Sequence, residues 1–204
     1  MDDARPQTMK ERALELARAR GIARARDFTA AGIARTYIQR LCNEGLLVRT
    51  GRGLYQAADA EIEIQHSLVE ASRALPHGVV CLLSALQFHG LTTQMPHEVW
   101  IMIGSKKWAP RKPPVSLRII RATGAALTDG VERHEIEGIE VPVYSAAKTV
   151  ADCFTHRNKV GIDVAIEALR DCLRQRKCTV DDLWRYAKVC RVQNVMRPYL
   201  EALL

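Results

Sequence analysis

The sequence predicts an α+β protein in which an N-terminal winged helix-turn-helix is followed by a mixed α/β C-terminal domain. Residues 8–45 contain three short helical segments separated by turns. Residues 46–55 then form two strand-like segments around a Gly-Arg-Gly tip. The remainder of the chain contains apolar strand-like runs and amphipathic helical segments. We therefore expect a DNA-binding domain over residues 1–58 and a second domain over residues 59–204.

The first domain begins with a helix predicted from Thr8 to Arg20. A connector over residues 21–28 leads into a second helix, which ends at the tight turn of residues 31–33. A third helix is predicted from Ala34 to Glu44, and Gly45 follows it. Glycine adopts the left-handed conformation that closes helices without strain, so Gly45 marks the end of this helix.

The third helix has two distinct faces. Its apolar side, flanked by Tyr37, comprises Ile33, Ile38, Leu41 and Cys42. Its opposite side is polar and comprises Arg35, Thr36, Gln39, Arg40 and Asn43. Arginine can pair with guanine, and glutamine or asparagine with adenine, in the major groove of duplex DNA. This face predicts a recognition helix, although a solvated surface of a three-helix packing unit is the plainer interpretation.

The predicted hairpin after this helix resembles the wing of a winged helix. Its strands are residues 46–48 and residues 54–55, and its tip is the Gly-Arg-Gly turn of residues 51–53. Arg49 and Arg52 lie at or beside the tip, where a cation can reach a phosphate or the minor groove. A hairpin needs turn residues but no cations, so the two arginines favour DNA binding.

Charge is distributed unevenly along the 204 residues, whose net charge is +7. Residues 1–56 contain 11 Lys and Arg against 6 Asp and Glu, whereas residues 57–204 contain 19 against 17. Most of the excess positive charge therefore lies in the segment with DNA-binding topology. A concentrated positive field attracts polyanions and speeds their encounter with the protein.

The cysteines and the hydrophobic pattern predict a cytoplasmic protein without a metal site. Six cysteines occur, none in CxxC spacing, and most lie among apolar residues on predicted helices. We expect reduced thiols rather than disulfides. The N-terminal residues lack the apolar run of a secretory signal, and no stretch reaches transmembrane length, so no membrane contact is expected.

The second domain is predicted to combine a sheet with several helices. The expected strands are residues 99–103, residues 115–121 and a hairpin over 135–143 around Gly138. The expected helices cover residues 61–75, 84–89, 145–154, 163–176, 179–189 and 195–204. Ser145 and Thr179 are suited to cap the helices that they precede.

Three segments together resemble the AbiEi family, the antitoxins of type IV toxin–antitoxin systems and abortive phage defence. They are Gly51-Arg52-Gly53-Leu54-Tyr55 after the helix-turn-helix, the run from Leu83 to Thr92, and the run from Val141 to Phe154 followed by Arg157 to Gly161. The resemblance covers nearly the full chain. It implies a winged helix that represses its own operon by binding operator DNA, and a C-terminal domain that counteracts a neighbouring nucleotidyltransferase toxin, with or without direct contact.

We further expect a monomer in solution that can bind DNA cooperatively, with no cofactor and no enzymatic activity. Ser84, His89 and Asp152 are the residue types of a hydrolytic triad, but a triad is defined by geometry rather than composition. Lys148 and Asp152 are four residues apart on one helix and can simply pair. His97-Glu98 lacks the second histidine of a zinc-binding helix.

The segment of residues 104–114 is the ambiguous one. It carries Lys106, Lys107, Arg111 and Lys112 around Trp108, with three prolines. Such a loop can hold a nucleic-acid backbone and stack a base, or it can be an ordinary solvated connection. These four cations, together with Lys148 and Lys159, are our candidates for toxin neutralisation.

Two other functions remain open from the sequence. One is a stand-alone winged-helix transcription regulator whose C-terminal domain senses a ligand. The other is an enzyme that uses the C-terminal domain, which would require a deep pocket with convergent acidic groups of shifted pKa. A nucleotidyltransferase gene beside this one would favour the antitoxin over the stand-alone regulator.

Overall fold

A computed structural model describes residues 8–20, 23–51, 53–111 and 113–203. The chain divides into two compact units. The first unit comprises the chain through Ile64 together with Thr93–Met95, and the second comprises Gln65–Thr92 and Pro96–Leu204. Helix α4 (Ala60–Ala74) begins in the first unit and continues into the second.

The first unit is a winged helix-turn-helix. Its elements are α1 (Met9–Arg20), β1 (Ala23–Arg24), α2 (Ala25–Ala30), α3 (Arg35–Asn43), β2 (Leu47–Gly51) and β3 (Leu54–Ala57). The three strands form an antiparallel sheet in the order β1-β3-β2. Strand β1 lies within the segment that the sequence predicted as a connector. It is only two residues long, too short to produce a period-2 pattern.

Local sequence explains the turns of this unit. The Asp27 side chain accepts a hydrogen bond from the Arg24 backbone N–H at 2.8 Å, which caps the start of α2. Gly45 follows α3 with φ of +70°, the left-handed conformation that the sequence predicted. Phe28, Ile38 and Leu41 are buried in the small core, and the Phe28 ring meets the Tyr55 ring edge-on with centroids 6.0 Å apart. The core thus fixes α3 against α2 and the wing.

The second unit contains a five-stranded mixed sheet. The strands are β4 (Val79–Val80), β5 (Val99–Gly104), β6 (Leu117–Ala122), β7 (Val131–Ile136) and β8 (Ile139–Tyr144), in the order β6-β5-β4-β8-β7. Strand β5 pairs in parallel with β6, and β4 pairs in parallel with β8, whereas the other two pairings are antiparallel. Sequence patterning predicted all of these strands except β4.

Helix α4 packs against one face of the second unit's sheet, and the core on the opposite face is formed mainly by the helices that follow α4 in the chain. They are α5 (Leu82–Phe88), α6 (Ala125–Thr128), α7 (Ala146–Thr155), α8 (Arg157–Val160), α9 (Ile162–Arg174), α10 (Val180–Val189) and α11 (Gln193–Glu201). Trp100 and Met102 face the core beneath α5, α7 and α9, whereas Val99 and Ile101 face the core formed with α4. This alternation follows from the two-residue repeat of a strand. Helices α6 and α8, of four residues each, were not predicted.

No helix among the described residues is both long and apolar enough to cross a membrane.

Candidate nucleic-acid interface

The outer face of α3 presents polar side chains to solvent. Arg35, Thr36, Gln39, Arg40 and Asn43 are all exposed. On the opposite side Ile38 and Leu41 are each only 1% exposed. The helix is therefore amphipathic, and the residues that the sequence identified as base readers share one accessible face.

Intrahelical contacts hold two of these side chains in place. The Arg40 Nε donates to Glu44 Oε1 at 2.8 Å, and the Arg40 guanidinium lies over the Tyr37 ring at 5.9 Å. The Gln39 amide donates to Asn43 Oδ1 at 3.2 Å. Exposed contacts of this kind contribute little free energy and are readily exchanged for others. The side chains of Arg40 and Gln39 can thus give up these contacts and bind groups of DNA instead.

The wing is the β2–β3 hairpin. Arg49 is exposed on β2, and the strand register shifts between Arg49 and Gly51. Gly53 has φ of +73°, the turn conformation expected at the tip. Arg52, the other predicted tip cation, lies outside the described residues. Val48 on the same strand is 50% exposed, so the wing also offers an apolar side chain that another molecule can contact.

In the second unit, the basic loop of residues 104–111 is held in place on both sides. The Arg121 Nη1 donates to the backbone carbonyls of Ser105 at 2.8 Å and Lys107 at 2.9 Å. The His77 Nε2 bonds to the Trp108 carbonyl oxygen at 3.0 Å. Trp108 is nevertheless 66% exposed.

The basic loop belongs to a stretch of sequence without acidic residues. Lys106, Lys107 and Arg111 are exposed, and no Asp or Glu occurs between residues 99 and 128. Lys112 lies outside the described residues. The loop therefore presents cations and an indole on one anchored segment, a combination that suits a polyanion or an acidic surface.

Helix α7 does not present the cation that the sequence assigned to it. Lys148 is fully buried, its Nζ lies 2.5 Å from Asp152 Oδ2, and the same Nζ stands 4.2 Å above the Tyr144 ring. Neighbouring α5, α9 and α10 cover the helix, so the expectation that Lys148 forms part of an exposed surface is wrong. Lys159 on α8 is exposed and remains a candidate.

Asp152 is almost completely enclosed. Burial raises the pKa of its carboxyl, against the lowering effect of Lys148. Cys190 Sγ donates to its other carboxylate oxygen, Oδ1, at 3.3 Å. The predicted pairing of Lys148 with Asp152 is therefore present, and it lies in the core.

The polar residues considered for hydrolysis have separate structural partners. Ser84 Oγ accepts a hydrogen bond from the Trp100 backbone N–H at 2.9 Å, and His89 Nε2 bonds to the Tyr144 carbonyl oxygen at 2.7 Å. Asp152 is bound to Lys148. These contacts hold strands and helices together rather than forming a triad.

The cysteines are unpaired, although two of them are adjacent. All six are free thiols in the structure, and Cys172 and Cys178 bring their sulfur atoms to 2.6 Å. Within the described parts of the chain, no group of three or more His, Cys, Asp or Glu side chains is arranged to hold a metal ion.

Comparison with known families bears on the first unit. Residues 11–58 match the family model described as "Transcriptional regulator, AbiEi antitoxin", a range that extends from α1 to just beyond β3. The matched residues cover the winged helix-turn-helix of the first unit. The description of that model supports a role as an antitoxin and transcription regulator.

One solved structure is also similar to the chain. The crystal structure of the RV2827C protein from Mycobacterium tuberculosis aligns with 99% of this chain and 82% of that chain, with a TM-score of 0.47 and 18% sequence identity. No curated protein matches the chain.

Sequence reasoning missed some polar groups in the first unit and in the second unit. Glu44, which pairs with Arg40, was taken only as the end of a helix. Arg121, which anchors the basic loop, and His156, which lies near Asp152, are brought to these places by tertiary structure. Sequence spacing contains no signal for contacts between such distant segments.

Proposed function

We propose that this chain is a type IV antitoxin and transcriptional autorepressor, which binds operator DNA of its own operon and counteracts a cognate nucleotidyltransferase toxin. The observation that carries the proposal is the exposed polar face of α3 in a domain that matches the AbiEi family. In winged helix-turn-helix proteins, such a helix enters the major groove. The second unit then supplies the function against the toxin.

Geometry and charge support binding of α3 to DNA. Nine residues of α-helix extend for about 13 Å, similar to the width of the major groove. Arg35, Gln39 and Arg40 lie along this length and can reach base edges, while Thr36 and Asn43 add hydrogen-bonding groups. The positive excess of residues 1–56 favours approach to the phosphate backbone.

The wing supplies the proposed backbone contacts. Arg49 is exposed on β2, and Arg52 belongs to the Gly-Arg-Gly tip. Cations at these positions hold phosphates or enter the minor groove, which fixes the register of the protein on DNA without selecting a sequence. We therefore assign sequence selection to α3 and general affinity to the wing.

We propose that the basic loop and Lys159 are the parts of the second unit that neutralise the toxin. The exposed cations Lys106, Lys107 and Arg111, with Lys112 beside them in the sequence, surround an exposed indole. A nucleotidyltransferase handles polyanionic or nucleotide substrates. A basic surface can therefore act by competing for the substrate or by meeting an acidic surface of the toxin.

Operator binding is tested with the full chain and DNA from upstream of its own gene. We compare wild type, Gln39→Ala and Arg40→Ala with Arg170→Ala, an exposed arginine on α9 that serves as the matched control. The two α3 variants should bind the operator roughly 5- to 150-fold more weakly and discriminate less against scrambled DNA. Operator affinity and preference that stay at the wild-type level in both α3 variants would contradict the assignment.

Neutralisation is tested by co-expression with the toxin encoded beside the gene. Arg40→Ala should still restore growth, since DNA reading and neutralisation use different units. Reversal of the four loop cations to glutamate should abolish rescue at equal protein level, with little change in stability because exposed charges contribute little. Rescue by the loop variant would remove the loop from the mechanism, and failure of Arg40→Ala would contradict the separation of functions.

The alternative is a stand-alone regulator whose second unit senses a ligand. The observation that favours it is a cleft in the second unit, lined by residues of β6, α7 and α10. The absence of a nucleotidyltransferase gene beside this one would support the alternative over the antitoxin.

A further inference from the structure

The second unit contains a cleft of about 490 Å³ where two parallel strands end. Strands β5 and β6 end at Gly104 and Ala122, and the turn after β6 forms one wall. Helix α7 and the end of α10 form the other wall. In α/β sheets, ligands commonly bind beyond the carboxyl ends of parallel strands, and the volume lies in the usual range for small-molecule sites.

Two arginines from separate elements are among the residues that line this cleft. Arg121 comes from β6, and its Nη1 is fixed by the carbonyls of Ser105 and Lys107. Guanidinium carries five N–H donors in a rigid fork, so fixing Nη1 orients donors on the remaining nitrogens. Arg191 follows α10 and is exposed. Both arginines therefore belong to the lining of one cleft.

The floor of the cleft is polar but electrically balanced. The carboxylate of Asp152 is neutralised by the buried ammonium of Lys148. Burying such a pair costs desolvation free energy, so the pair is weak evidence for stability and better evidence for a site. His156 also lines the cleft, and burial lowers the pKa of its imidazole, which leaves the ring neutral at neutral pH.

Hydroxyl groups complete the lining. Thr155 on α7 and Thr123 after β6 both belong to the cleft. Thr155 Oγ donates to the Ala151 carbonyl at 3.1 Å, which leaves its lone pairs able to accept. The interior thus offers neutral donors and acceptors, whereas the two arginines leave uncompensated positive charge of about two units.

We propose that this cleft binds a nucleotide-sized phosphate monoester, with the phosphate between Arg121 and Arg191 and the polar groups of the nucleoside facing Asp152 and His156. A phosphate monoester carries a charge of about −1.5 to −2 at neutral pH, which matches the two arginines. Guanidinium groups bind phosphate oxygens bidentately. The inference does not rest on operator binding or on a toxin, because every group involved belongs to the second unit.

Arg176 provides a closely matched control for Arg191. Both arginines follow the end of a helix and have left-handed backbones, with φ of +54° and +57°. Each helix end is closed by the same pair of backbone hydrogen bonds, from Arg176 and Lys177 after α9 and from Arg191 and Val192 after α10. Glycine suits this conformation, so Arg191→Gly and Arg176→Gly should both fold. Only Arg191 lines the cleft.

The test is calorimetric titration of the full chain with AMP, GMP, CMP, UMP, the matching nucleosides and inorganic phosphate. At least one nucleoside monophosphate should bind one-to-one with Kd at or below about 100 µM, and its nucleoside and phosphate alone at least about ten-fold more weakly. Arg191→Gly should weaken that binding at least about ten-fold, and Arg176→Gly less than about two-fold. His156→Gln, on the same wall as Arg191, should weaken it as well.

Three results would overturn the proposal. The first is no binding of any of the four nucleotides up to about 1 mM. The second is an equal loss in Arg191→Gly and Arg176→Gly, which would indicate a diffuse charge effect. The third is phosphate binding as tightly as the nucleotide, which would reduce the cleft to a simple anion site. Loss of operator binding in any variant has no bearing on these readouts, so the two proposals fail separately.

Discussion

Helices α3 and α7 both carry polar side chains that stand out in the sequence, yet one helix exposes them and the other buries them. On α3, Arg40 and Gln39 are exposed, and each bonds to the side chain four residues further along the chain. On α7, Lys148 is fully buried and bound to Asp152. A polar residue on a helix is therefore available to a partner only if no other element covers that face.

The difference follows from the neighbours of each helix. Helix α3 packs against α2 and β2 on one side, which leaves the other side open. Helix α7 is packed by α5, α9 and α10, so its polar side chains must find partners inside the unit. The loss of a charge should consequently have a different effect in each helix. In α3 it should change the affinity for a binding partner, and in α7 it should lower the stability of the fold.

The largest expected effect is on α7. Lys148→Met removes one member of a buried ion pair and leaves the Asp152 carboxylate uncompensated, which should lower the free energy of unfolding by about 3–5 kcal/mol. Urea unfolding monitored by tryptophan fluorescence measures this directly, because all three tryptophans (100, 108 and 184) belong to the second unit. Arg40→Ala should leave the same curve unchanged.

A double variant separates the charge from the packing. Lys148→Met with Asp152→Leu removes both charges and should recover much of the lost stability, since apolar replacement of a buried pair is often neutral or stabilising. A single variant as stable as wild type would show that the pair is not buried as described. A double variant less stable than Lys148→Met would show that the carboxylate has another essential partner.

Sequence reasoning located α3 and its faces because a one-sided helix leaves a clear period of apolar residues. Ile38 and Leu41 mark the core side, and Gly45 marks the end, so three local features agreed. The Ser145 cap was predicted for the same reason: Ser145 Oγ accepts from the Lys148 backbone N–H at 3.4 Å. Local chemistry of this kind is readable without a structure.

The burial of Lys148 could not be predicted from local sequence. Its spacing from Asp152 predicted a pair, but nothing in the spacing distinguishes a pair in solvent from a pair in the core. Burial depends on α9 and α10, which follow it in the chain. The cleft was missed for a similar reason, because Arg121, His156 and Arg191 come from three separate segments. Short elements such as β4 and α6 are below the length at which a period can be seen.

The second expected effect is a loss of DNA binding without a loss of stability. Arg35→Ala should reduce operator affinity roughly 5- to 150-fold and relax sequence preference, because a base contact is removed. Arg49→Ala should weaken all sequences alike and reduce the dependence of log affinity on log salt by about 0.9, the value for one phosphate contact. Salt titrations with operator and scrambled DNA measure both the sequence preference and the salt dependence of affinity. If Arg49→Ala relaxed the sequence preference and Arg35→Ala only reduced the salt dependence, the roles of the two arginines would have to be exchanged.

A third, smaller effect should raise affinity. Glu44 holds Arg40 through a 2.8 Å contact and also lies 3.8 Å from Lys10 Nζ. Glu44→Gln removes a negative charge beside the proposed DNA surface and releases Arg40, so operator binding should strengthen by about two- to five-fold. Glu201→Gln, an exposed glutamate at the end of α11, is the control and should change nothing. Weaker binding by Glu44→Gln would mean that the pair orients Arg40 for reading.

The smallest expected effect is a pH dependence confined to the second unit. Burial lowers the pKa of both His89 and His156 below the ordinary value of 6.5, whereas the first unit contains no histidine. Between the lowered pKa and 6.5 the unfolded chain binds more protons than the folded one, so stability is present above about pH 6.5 and declines as the pH falls. Asp152, whose pKa burial raises, acts in the opposite sense and opposes this decline.

Urea unfolding at about pH 7.5 and about pH 5.5, followed by tryptophan fluorescence, should therefore show lower stability in acid for wild type. The decline should be smaller in His156→Gln and smaller still with His89→Gln added, whereas His97→Gln, an exposed histidine, should behave as wild type. An equal decline in all four proteins would assign the acid sensitivity to carboxylates. The histidines would then not distinguish the two units, and only their charge pairs would.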